Sequence, residues 1–350
     1  MERTNNLPDI RSLTPQDIAQ VVSELGQPAF RAKQLCEWLF DKNVCSFDEM
    51  TNLPKVLREK LAEQYRFAVP TEVVKQVSKD GARKYLLQFP DGVAVETVGM
   101  PSRNRLAVCI STQAGCAMGC AFCATGLAGL TRSLNAQEMV DQVVHVARDL
   151  GERVTSVVFM GQGEPFANFD ETVKALRMLN SEHGLNIGAR HLTVSTCGII
   201  PRIRAFASLP EQFTLAISLH SAIQSTRNQL MPGVKKYTLP RLYEALQDYT
   251  EKTGRRPTYE FAMIEGVNDT NPEMEALCDF CEGTLCHVNL IQLNDIPDSP
   301  FRPSPMKKVE DLQRRLQMRG VETTIRNSRG SDIDAACGQL KQRKLNTHIK

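Results

Sequence analysis

The 350-residue sequence has no run of about 18 consecutive apolar residues, the length that a membrane-spanning helix needs. Its first residues, MERTNNLPDIRSLTPQD, also lack the apolar stretch of a secretory signal peptide. A soluble, cytoplasmic protein without a membrane partner is therefore expected. In that reducing compartment, the eleven cysteines indicate metal binding or catalysis rather than disulfide crosslinks.

A strong excess of charge is also missing. The 42 basic and 40 acidic residues give a net charge of +2, which neither requires nor excludes a nucleic-acid partner. The C-terminus differs, because its last residues include Lys341, Arg343, Lys344 and Lys350 and no acid. Such a basic tail, residues 341–350, suits contact with RNA phosphates, and it equally suits a solvated chain end.

Three cysteines lie close together in the stretch AVCISTQAGCAMGCAFCATG. Cys116, Cys120 and Cys123 have the spacing C-x3-C-x2-C, and Cys109 precedes them. Three cysteine ligands leave one iron of a 4Fe-4S cluster open to bind another molecule. The spacing therefore predicts a catalytic iron–sulfur site rather than a purely structural one.

Two other interpretations of these cysteines must be compared. Three buried cysteines on one helical face would have similar spacing, but the glycines among them favour a loop. A structural zinc site would need a fourth ligand, from Cys109 or elsewhere, and its cysteines usually come in two close pairs. The iron–sulfur interpretation explains the spacing better than either.

Residues 1–70 are expected to form a small all-α domain. Thr14 is a candidate N-cap before Pro15, Gly26 ends that helix, and two or three further helices follow. The basic residues of this domain suit RNA contact or a solvated surface. Residues 71–100 are expected to form a linking β segment, with KYLLQF and AVETVGM separated by a Pro-Asp-Gly turn. Glu96 lies in the second of these strands, where an acid usually faces solvent.

From residue 101 to residue 340, short apolar strands alternate with amphipathic helices. The strand candidates are RLAVCIS, SVVFMG, LTVST, TLAISLH, TYEFAMI, HVNLIQL and ETTIRNS. The helix candidates are NAQEMVDQVVHVARDLG, DETVKALRMLNSEHG, TLPRLYEALQDYTEKTG and KKVEDLQRRLQMRG. Repeated βα units imply a parallel sheet, and about six units favour an α/β fold of the partial TIM-like (βα)6 barrel type.

Polar residues follow several of these predicted strands. Ligands bind at the C-terminal ends of the strands in such folds, so residues at four strand ends predict a single pocket beside the cysteine loop. Glu164 could accept a hydrogen bond from an ammonium group, and the neighbouring glycines would let backbone approach a ligand. The residues at these strand ends are Gly161, Gly163, Glu164, Ser195, Thr196, Ser218, His220 and Asn294.

Four of the other seven cysteines have neighbours that bear on their role. Cys278, Cys281 and Cys286, followed by His287, have a spacing that could bind zinc, although they straddle a predicted helix end and a strand. Cys337 lies in a stretch rich in glycine and alanine, where a small buried cysteine is the ordinary interpretation.

Five motifs together resemble the RlmN/Cfr family of radical-SAM RNA methyltransferases, where SAM is S-adenosylmethionine. They are CISTQAGCAMGCAFCATG, VFMGQGEP, ISLHS, VNLIQLN and RGSDIDAACGQL. The likeness runs from about Leu13 to Leu340, and IDAACGQL is specific to this branch of the superfamily. ETV, GEP and Arg329-Gly330 look like the RlmN branch, which methylates carbon 2 of an adenosine in 23S rRNA and in tRNA. The alternative Cfr branch methylates carbon 8.

The resemblance implies a role for individual residues. Cys116, Cys120 and Cys123 are implied as the cluster ligands. Cys337 is implied as the cysteine that carries the methyl group. The remaining implied residues are Cys109 as its resolving partner, Glu96 as candidate proton acceptor, and Gly163, Glu164, Ser195, Ser218, Leu219, His220 and Asn294 as SAM contacts. Gln162 departs from the family, which usually has methionine there, and this difference bears on local packing of the pocket.

The resemblance also implies the reaction and its partners. Carbon 2 of adenine is electron-poor and cannot attack the methyl group of SAM as a nucleophile. One SAM therefore methylates Cys337, and a second SAM, cleaved by an electron from the cluster, yields the radical that activates this methyl group. The carbon adds to the base and links protein to RNA, and attack by Cys109 releases the product and leaves a disulfide. The implied partners are 23S rRNA, tRNA and flavodoxin or ferredoxin, with the protein as a monomer.

Two other function classes remain. A zinc-stabilised RNA-binding module would explain the cysteines but not the polar residues at the strand ends. A radical-SAM enzyme that acts on a small molecule or a protein would leave the N-terminal helical domain without a role.

Overall fold

The computed structural model describes residues 7–182, 184–294, 299–326, 329–336 and 338–340. Its N-terminal part contains α1 (Pro15–Glu24), α2 (Phe30–Cys36) and α3 (Lys55–Gln64), with a π-helical turn at Glu37–Asp41. The predicted cap of α1 is present. The Thr14 hydroxyl accepts a hydrogen bond from the Asp17 N–H at 3.2 Å, and the Asp17 carboxylate accepts one from the Thr14 N–H at 2.8 Å. This reciprocal pairing satisfies two amides at the helix start.

The helical part has an apolar core of its own. The residues buried there form a cluster that is distinct from the core around the sheet. They are Ile10, Ile18, Val21, Val22, Leu35, Leu39, Val44, Met50, Leu53, Leu57 and Leu61. Burial of this many aliphatic side chains stabilises three short helices that would be marginal in isolation.

The linking segment forms three antiparallel strands, β1 (Thr71–Val77), β2 (Arg83–Gln88) and β3 (Ala94–Ser102). The predicted turn between β2 and β3 is present, and Gly92 adopts φ +84° there. β3 then pairs antiparallel with the next strand, β4 (Arg105–Cys109), with Val98 opposite Cys109. The segment is therefore continuous with the main sheet.

The remaining strands of the described residues are β5 (Gln113–Gly115), β6 (Leu130–Ser133), β7 (Val154–Phe159), β8 (Leu192–Thr196), β9 (Thr214–Ser218), β10 (Thr258–Met263), β11 (His287–Gln292) and β12 (Glu322–Arg326). Within this part of the chain, ten strands form one sheet in the order β1-β2-β3-β4-β7-β8-β9-β10-β11-β12. All neighbours from β4 to β12 are parallel. This confirms the prediction of an α/β partial barrel, with six βα units and then β12.

The helices of this barrel are α4 (Ala124–Ala128), α5 (Ala136–Leu150), α6 (Phe169–Asn180), α7 (Ile200–Phe206), α8 (Gln224–Leu230), α9 (Leu239–Thr253), α10 (Asn271–Cys281) and α11 (Met306–Met318). The sequence predicts α5, α6, α9 and α11, and the capping box of Asn135 and Glu138 at α5 is confirmed. The candidates do not include α4, α7, α8 or α10. The first three have only five to seven residues, too few to show a helical period. None of the described helices is long and apolar enough to cross a membrane.

β5 and β6 form a separate antiparallel pair on either side of the cysteine loop. Gly115 has φ +79°, and a Cβ atom there would collide with the carbonyl oxygen of Gly129. That oxygen instead accepts a hydrogen bond from the Cys116 N–H at 2.8 Å. The glycine thus allows the two strands to close around the loop.

A buried ion pair joins the helical part to the barrel. Arg11, which precedes α1, pairs with Asp141 of α5, and both side chains are about 5% exposed or less. The Arg11 guanidinium also contacts Asp9, with Nη2 2.8 Å from Oδ2. Because the two charges lie away from water, each needs the other to offset its desolvation.

We predict that Asp141→Ala lowers the free energy of unfolding of the apoprotein by about 3 kcal/mol, because it leaves the Arg11 charge buried with only Asp9 as partner. The Arg11→Met, Asp141→Leu double variant should lose less, since no buried charge remains. Urea denaturation measures both. The matched control is Arg58→Ala, which breaks an ion pair with the exposed Asp48 and should cost less than about 1 kcal/mol. An Asp141→Ala cost no larger than the control would contradict the prediction.

Candidate functional site

A cavity of about 170 Å³ lies at the C-terminal ends of the parallel strands. Three of its lining residues are the motif cysteines Cys116, Cys120 and Cys123. Six of the predicted SAM contacts also line it, namely Gly163, Glu164, Ser195, Ser218, His220 and Asn294. The expectation that separate strand ends form one pocket with the cysteine loop therefore agrees with the structure.

The other predicted residues lie elsewhere. Leu219 is buried and is not among the residues lining the cavity, although its N–H donates a hydrogen bond to the Glu260 carbonyl oxygen at 3.0 Å. Cys109 and Glu96 are buried beside the cavity rather than in its wall. Cys337 lies outside the described residues, but Gly338 and Leu340 line the cavity.

The cysteine loop is held by backbone hydrogen bonds to distant parts of the chain. The Ala121 N–H donates to the Leu230 carbonyl at 2.9 Å, and the Met118 carbonyl accepts from the Gly233 N–H at 3.0 Å. After the loop, the Ala124 N–H donates to the Gly338 carbonyl at 2.9 Å. These bonds connect the loop both to α8 and to the C-terminal segment.

Burial controls the protonation of the cysteine thiols. It raises the pKa of Cys116 to about 11, and it also raises the pKa of Cys120, where the neighbouring thiols add to the effect. Without a metal these thiols are therefore protonated at neutral pH. Iron is bound by thiolates, so cluster binding must release these protons. Three thiols that face one cavity and act electrostatically on one another are a donor set that fits a 4Fe-4S cluster.

The GQGEP segment packs closely against the chain itself. A Cβ atom at Gly161 would lie 2.7 Å from the Ile110 carbonyl oxygen, and one at Gly163 would lie 2.6 Å from the Gln113 Cβ atom. From the sequence, these glycines are expected to let the backbone approach a ligand. In the structure they are needed for the approach of residues 110–113, since any side chain would separate the two segments.

Glu164 is buried in the cavity wall, where its carboxylate accepts hydrogen bonds from two backbone amides. The donors are the Cys197 N–H at 2.8 Å and the Phe166 N–H at 2.9 Å. Burial nevertheless raises the pKa of Glu164. Each carboxylate oxygen has a further acceptor site, so the group can still accept a hydrogen bond from a bound cation.

His220 is buried and neutral. Burial, with a smaller effect from the Arg227 charge, lowers the pKa of His220 to about 3. Its Nδ1 accepts a hydrogen bond from the Ala262 N–H at 3.0 Å, so the single ring proton must be on Nε2. The ring also packs edge-to-face on Phe122 of the cysteine motif, with centroids 4.7 Å apart. His220 can thus act as a hydrogen-bond donor beside the loop.

The cavity wall also contains residues that the sequence does not predict there, including Met160, Cys197, Glu260 and Arg326. Glu260 accepts a hydrogen bond from the Asn289 amide at 3.0 Å and pairs with Arg326 at 3.7 Å. Burial raises the pKa of Glu260. An acid inside the apolar strand TYEFAMI was a signal in the sequence, because acids are rarely buried without a partner or a role.

Cys109 packs with residues that precede and follow position 337 in the sequence. It forms an apolar cluster with Val98 of β3, with Ala335 and with Leu340. Met160 packs on this cluster and also lines the cavity. The patch around Cys109 is therefore directly adjacent to the cavity.

Glu96 is buried, and the prediction that it faces solvent is wrong. β3 lies inside the sheet between β2 and β4, and the C-terminal segment covers this face. The Lys84 ammonium lies 3.4 Å from the Glu96 carboxylate and donates to the Asp334 carbonyl oxygen at 3.2 Å. Gln162 also reaches β3, because its side-chain oxygen accepts a hydrogen bond from the Glu96 N–H at 3.4 Å.

The turn between β1 and β2 holds the C-terminal segment. The Asp80 carboxylate accepts hydrogen bonds from Arg329 Nε and from the Gly330 N–H, both at 3.0 Å. Asp332 in turn accepts hydrogen bonds from the Ser78 hydroxyl and from the Lys79 N–H. The antiparallel extension of the sheet thus fixes residues 329–334, just before position 337.

The other described cysteines do not form a site for a single metal ion. In the ranges that the structure describes, no three His, Cys, Asp or Glu side chains converge on one ion, and this includes the three motif cysteines. A 4Fe-4S cluster does not require such convergence, because each cysteine binds a different iron. Cys278, Cys281 and Cys286 are buried in the core around the sheet. No disulfide joins the cysteines of the described residues.

Similarities between this chain and known proteins indicate a single family. A family model described as the ribosomal RNA large subunit methyltransferase N-terminal domain matches residues 8–66, and the radical SAM superfamily model matches residues 110–281. A protein named probable dual-specificity RNA methyltransferase RlmN, from Geobacillus thermodenitrificans, is 48% identical over 97% of this chain and 95% of its own. One with the same name from Bacillus subtilis is 47% identical over 96% and 94%.

A solved structure agrees with these relatives. The crystal structure of a radical SAM methyltransferase from Sphaerobacter thermophilus has a TM-score of 0.91 and 42% identity, and the match covers 95% of this chain and 99% of that one. Family models, full-length relatives and fold thus point the same way. The chain belongs to the RlmN family, whose members are SAM-dependent RNA methyltransferases of the radical SAM superfamily.

Proposed function

We propose that this protein methylates carbon 2 of an adenosine in 23S rRNA and in tRNA, through a methyl group carried by Cys337. One observation carries the proposal. A single cavity brings together three cysteines, polar residues from the strand ends, and the residues on the C-terminal side of position 337. The relatives named as dual-specificity RNA methyltransferases support RNA as the substrate.

Cys116, Cys120 and Cys123 would hold three irons of a 4Fe-4S cluster and leave the fourth iron for SAM. Cluster and SAM together, when bound, supply one-electron chemistry that activates a methyl group. Glu164 would accept the ammonium group of SAM, since its buried carboxylate gains from a cation beside it. His220 would donate from Nε2. The SAM contacts would be completed by Gly163, Ser195, Ser218 and Asn294. Leu219 would contribute through its backbone rather than its side chain.

The proposed methyl carrier and its resolving partner are supported by the packing around position 337. Ala335 and Leu340 belong to the Cys109 patch, and Gly338 and Leu340 line the cavity. The C-terminal segment therefore contacts both the patch and the cavity. In the proposed turnover, the Cys337 thiolate would take the methyl group of one SAM, and removal of one hydrogen atom from that methyl group would consume a second SAM. The methyl carbon would then bond to carbon 2 of adenine, which gives up its ring proton. The Cys109 thiolate would attack the Cys337 sulfur and break its bond to the carbon, which takes up a proton to become the product methyl group and leaves a disulfide.

Glu96 is the proposed acceptor of the ring proton. It lies two residues before Val98 on β3, on the same face as the Cys109 patch. The Lys84 ammonium lies 3.4 Å from this carboxylate, within ion-pair distance. Flavodoxin or ferredoxin is the proposed electron donor, and the protein is proposed to act as a monomer.

The first prediction concerns the cluster. Cys116→Ala, Cys120→Ala and Cys123→Ala should each lose bound iron and SAM cleavage together, because each removes the protein ligand of one iron. Iron analysis and visible absorption of anaerobic preparations measure this. The matched control is Cys197→Ala, which removes a thiol of the same cavity wall and should retain iron. A full iron content in the triple variant would exclude the assignment.

The second prediction concerns the position of methylation. Adenosine from RNA treated with the enzyme should co-elute with 2-methyladenosine, and modified nucleosides should be found in both rRNA and tRNA. Liquid chromatography with mass spectrometry separates this product from the carbon 8 isomer. Detection of 8-methyladenosine alone would favour Cfr-type chemistry. Activity on RNA of either kind excludes a binding module without catalysis.

The third prediction separates the two lone cysteines. Cys337→Ala should form no methylated enzyme and no link to RNA, because it lacks the methyl carrier. Cys109→Ala should still be methylated and still attack the base, but the adduct should persist. It should therefore purify with RNA that remains attached after denaturation and is removed by nuclease. Normal turnover by Cys109→Ala, without bound RNA, would remove Cys109 from the mechanism.

A further inference from the structure

Arg227, in α8, is almost completely buried, with 1% of its surface exposed. Its Nη2 donates a hydrogen bond to the Cys197 carbonyl oxygen at 2.6 Å, whereas its Nε has no hydrogen-bond partner. In the described part of the chain, the acidic groups that act on its charge are the thiols of Cys197 and Cys120, with no carboxylate among them. A buried guanidinium without a counter-ion is unfavourable, so a negative group is expected beside it.

The segment that carries Arg227 also holds the loop that carries Cys120. Leu230, at the end of α8, accepts the backbone hydrogen bond from Ala121, and Gly233 donates the one to Met118. Gly198, with φ +101°, gives the guanidinium room, because a Cβ atom there would lie 3.2 Å from Arg227 Nη2. Arg227 is thus held by its own contacts at Cys197 and Gly198, in the segment that also holds the cysteine loop.

Arg227 does not line the cavity. It is therefore not placed to touch SAM or RNA, and any effect on the reaction must act through its charge or through the Cys197 backbone. The three thiolates of a bound cluster carry three negative charges, and reduction of the cluster adds one more. Attraction to a fixed positive charge in a buried site is strong and favours the more negative state.

We propose that Arg227 is the internal counter-charge of the iron–sulfur cluster, where it offsets the thiolate ligands and favours the reduced state from which SAM is cleaved. This inference rests on the proposed assignment of Cys116, Cys120 and Cys123 as cluster ligands. It makes Arg227 an electrostatic positioning residue, and it explains why an arginine is buried here with no carboxylate beside it among the described residues.

Charge and hydrogen bonding can be separated with three substitutions in the full-length reconstituted protein. Arg227→Lys keeps the charge, Arg227→Gln keeps an N–H donor without charge, and Arg227→Met keeps only the volume. The midpoint potential of the cluster is measured without SAM by redox titration followed by electron paramagnetic resonance. Arg255→Met is the control, because this half-buried arginine bonds to the Phe213 carbonyl at the N-terminal end of β9, away from the cavity.

The Gln and Met variants should show an equilibrium constant for reduction at least tenfold less favourable, which is a potential lower by about 59 mV. The Lys variant should stay within threefold of the wild type, and the control should not change. The proposal is wrong if the Gln and Met variants keep the wild-type potential. It is also wrong if the Gln variant matches the wild type while the Lys variant shifts, because the hydrogen bond would then be decisive.

Stability of the apoprotein gives a second, independent measurement. Arg227→Met should unfold at the same or a higher temperature than the wild-type apoprotein, since it removes an unbalanced buried charge. A lower unfolding temperature would indicate a purely structural role and would overturn the proposal. If the Gln and Met variants assemble no cluster while the Lys variant does, the charge is needed for assembly and the proposal stands. Loss of the cluster in all three variants would refute it.

These outcomes are distinct from failure of the proposed function. A wild-type protein that binds no iron after reconstitution would refute the cluster assignment itself. A wild-type cluster whose potential is unaffected by Arg227 would refute the counter-charge alone.

Discussion

The exclusion of water from the strand ends governs the chemistry of this site. Burial raises the pKa of Cys116, Cys120 and Glu164 and lowers the pKa of His220, so it favours the neutral form of each group. A site of this kind stabilises charges only in balanced combinations. Under the proposed assignment, three such combinations would form: iron with thiolates, an ammonium with Glu164, and Arg227 with the cluster. The same burial that makes isolated charges unfavourable would strengthen the attraction within each combination.

Different parts of the fold hold the cysteine loop and the C-terminal segment. Backbone bonds to Leu230 and Gly233 hold the loop. Asp80, in the turn between β1 and β2, and Lys84, on β2, hold residues 329–334. The linking segment therefore serves as a platform for the segment that leads to Cys337. The Ala124 bond to Gly338 joins the loop and the C-terminal segment directly.

Much of the architecture could be predicted from local sequence. Periodic patterns within a strand or a few helical turns predict the seven parallel strands and the four long barrel helices. Local cap motifs predict the helix starts at Thr14 and Asn135. The cavity could be anticipated as well, because the C-terminal ends of parallel strands must meet at one edge of a sheet. The short helices α7 and α8 could not, because seven residues contain too little periodic information.

The sequence by itself determined the order of the elements, the cysteine spacing and the residues that end each strand, since these depend on neighbours along the chain. Only the tertiary structure decided which polar groups are buried and what they face. Glu96 is buried because Lys84 pairs with it and also reaches Asp334, which is 250 residues away in the chain. Contacts of the same long-range kind pair Glu260 with Arg326 in the cavity wall and join Arg227 to Cys197. Periodicity cannot report such contacts, because burial is set by whatever the completed fold packs against a residue.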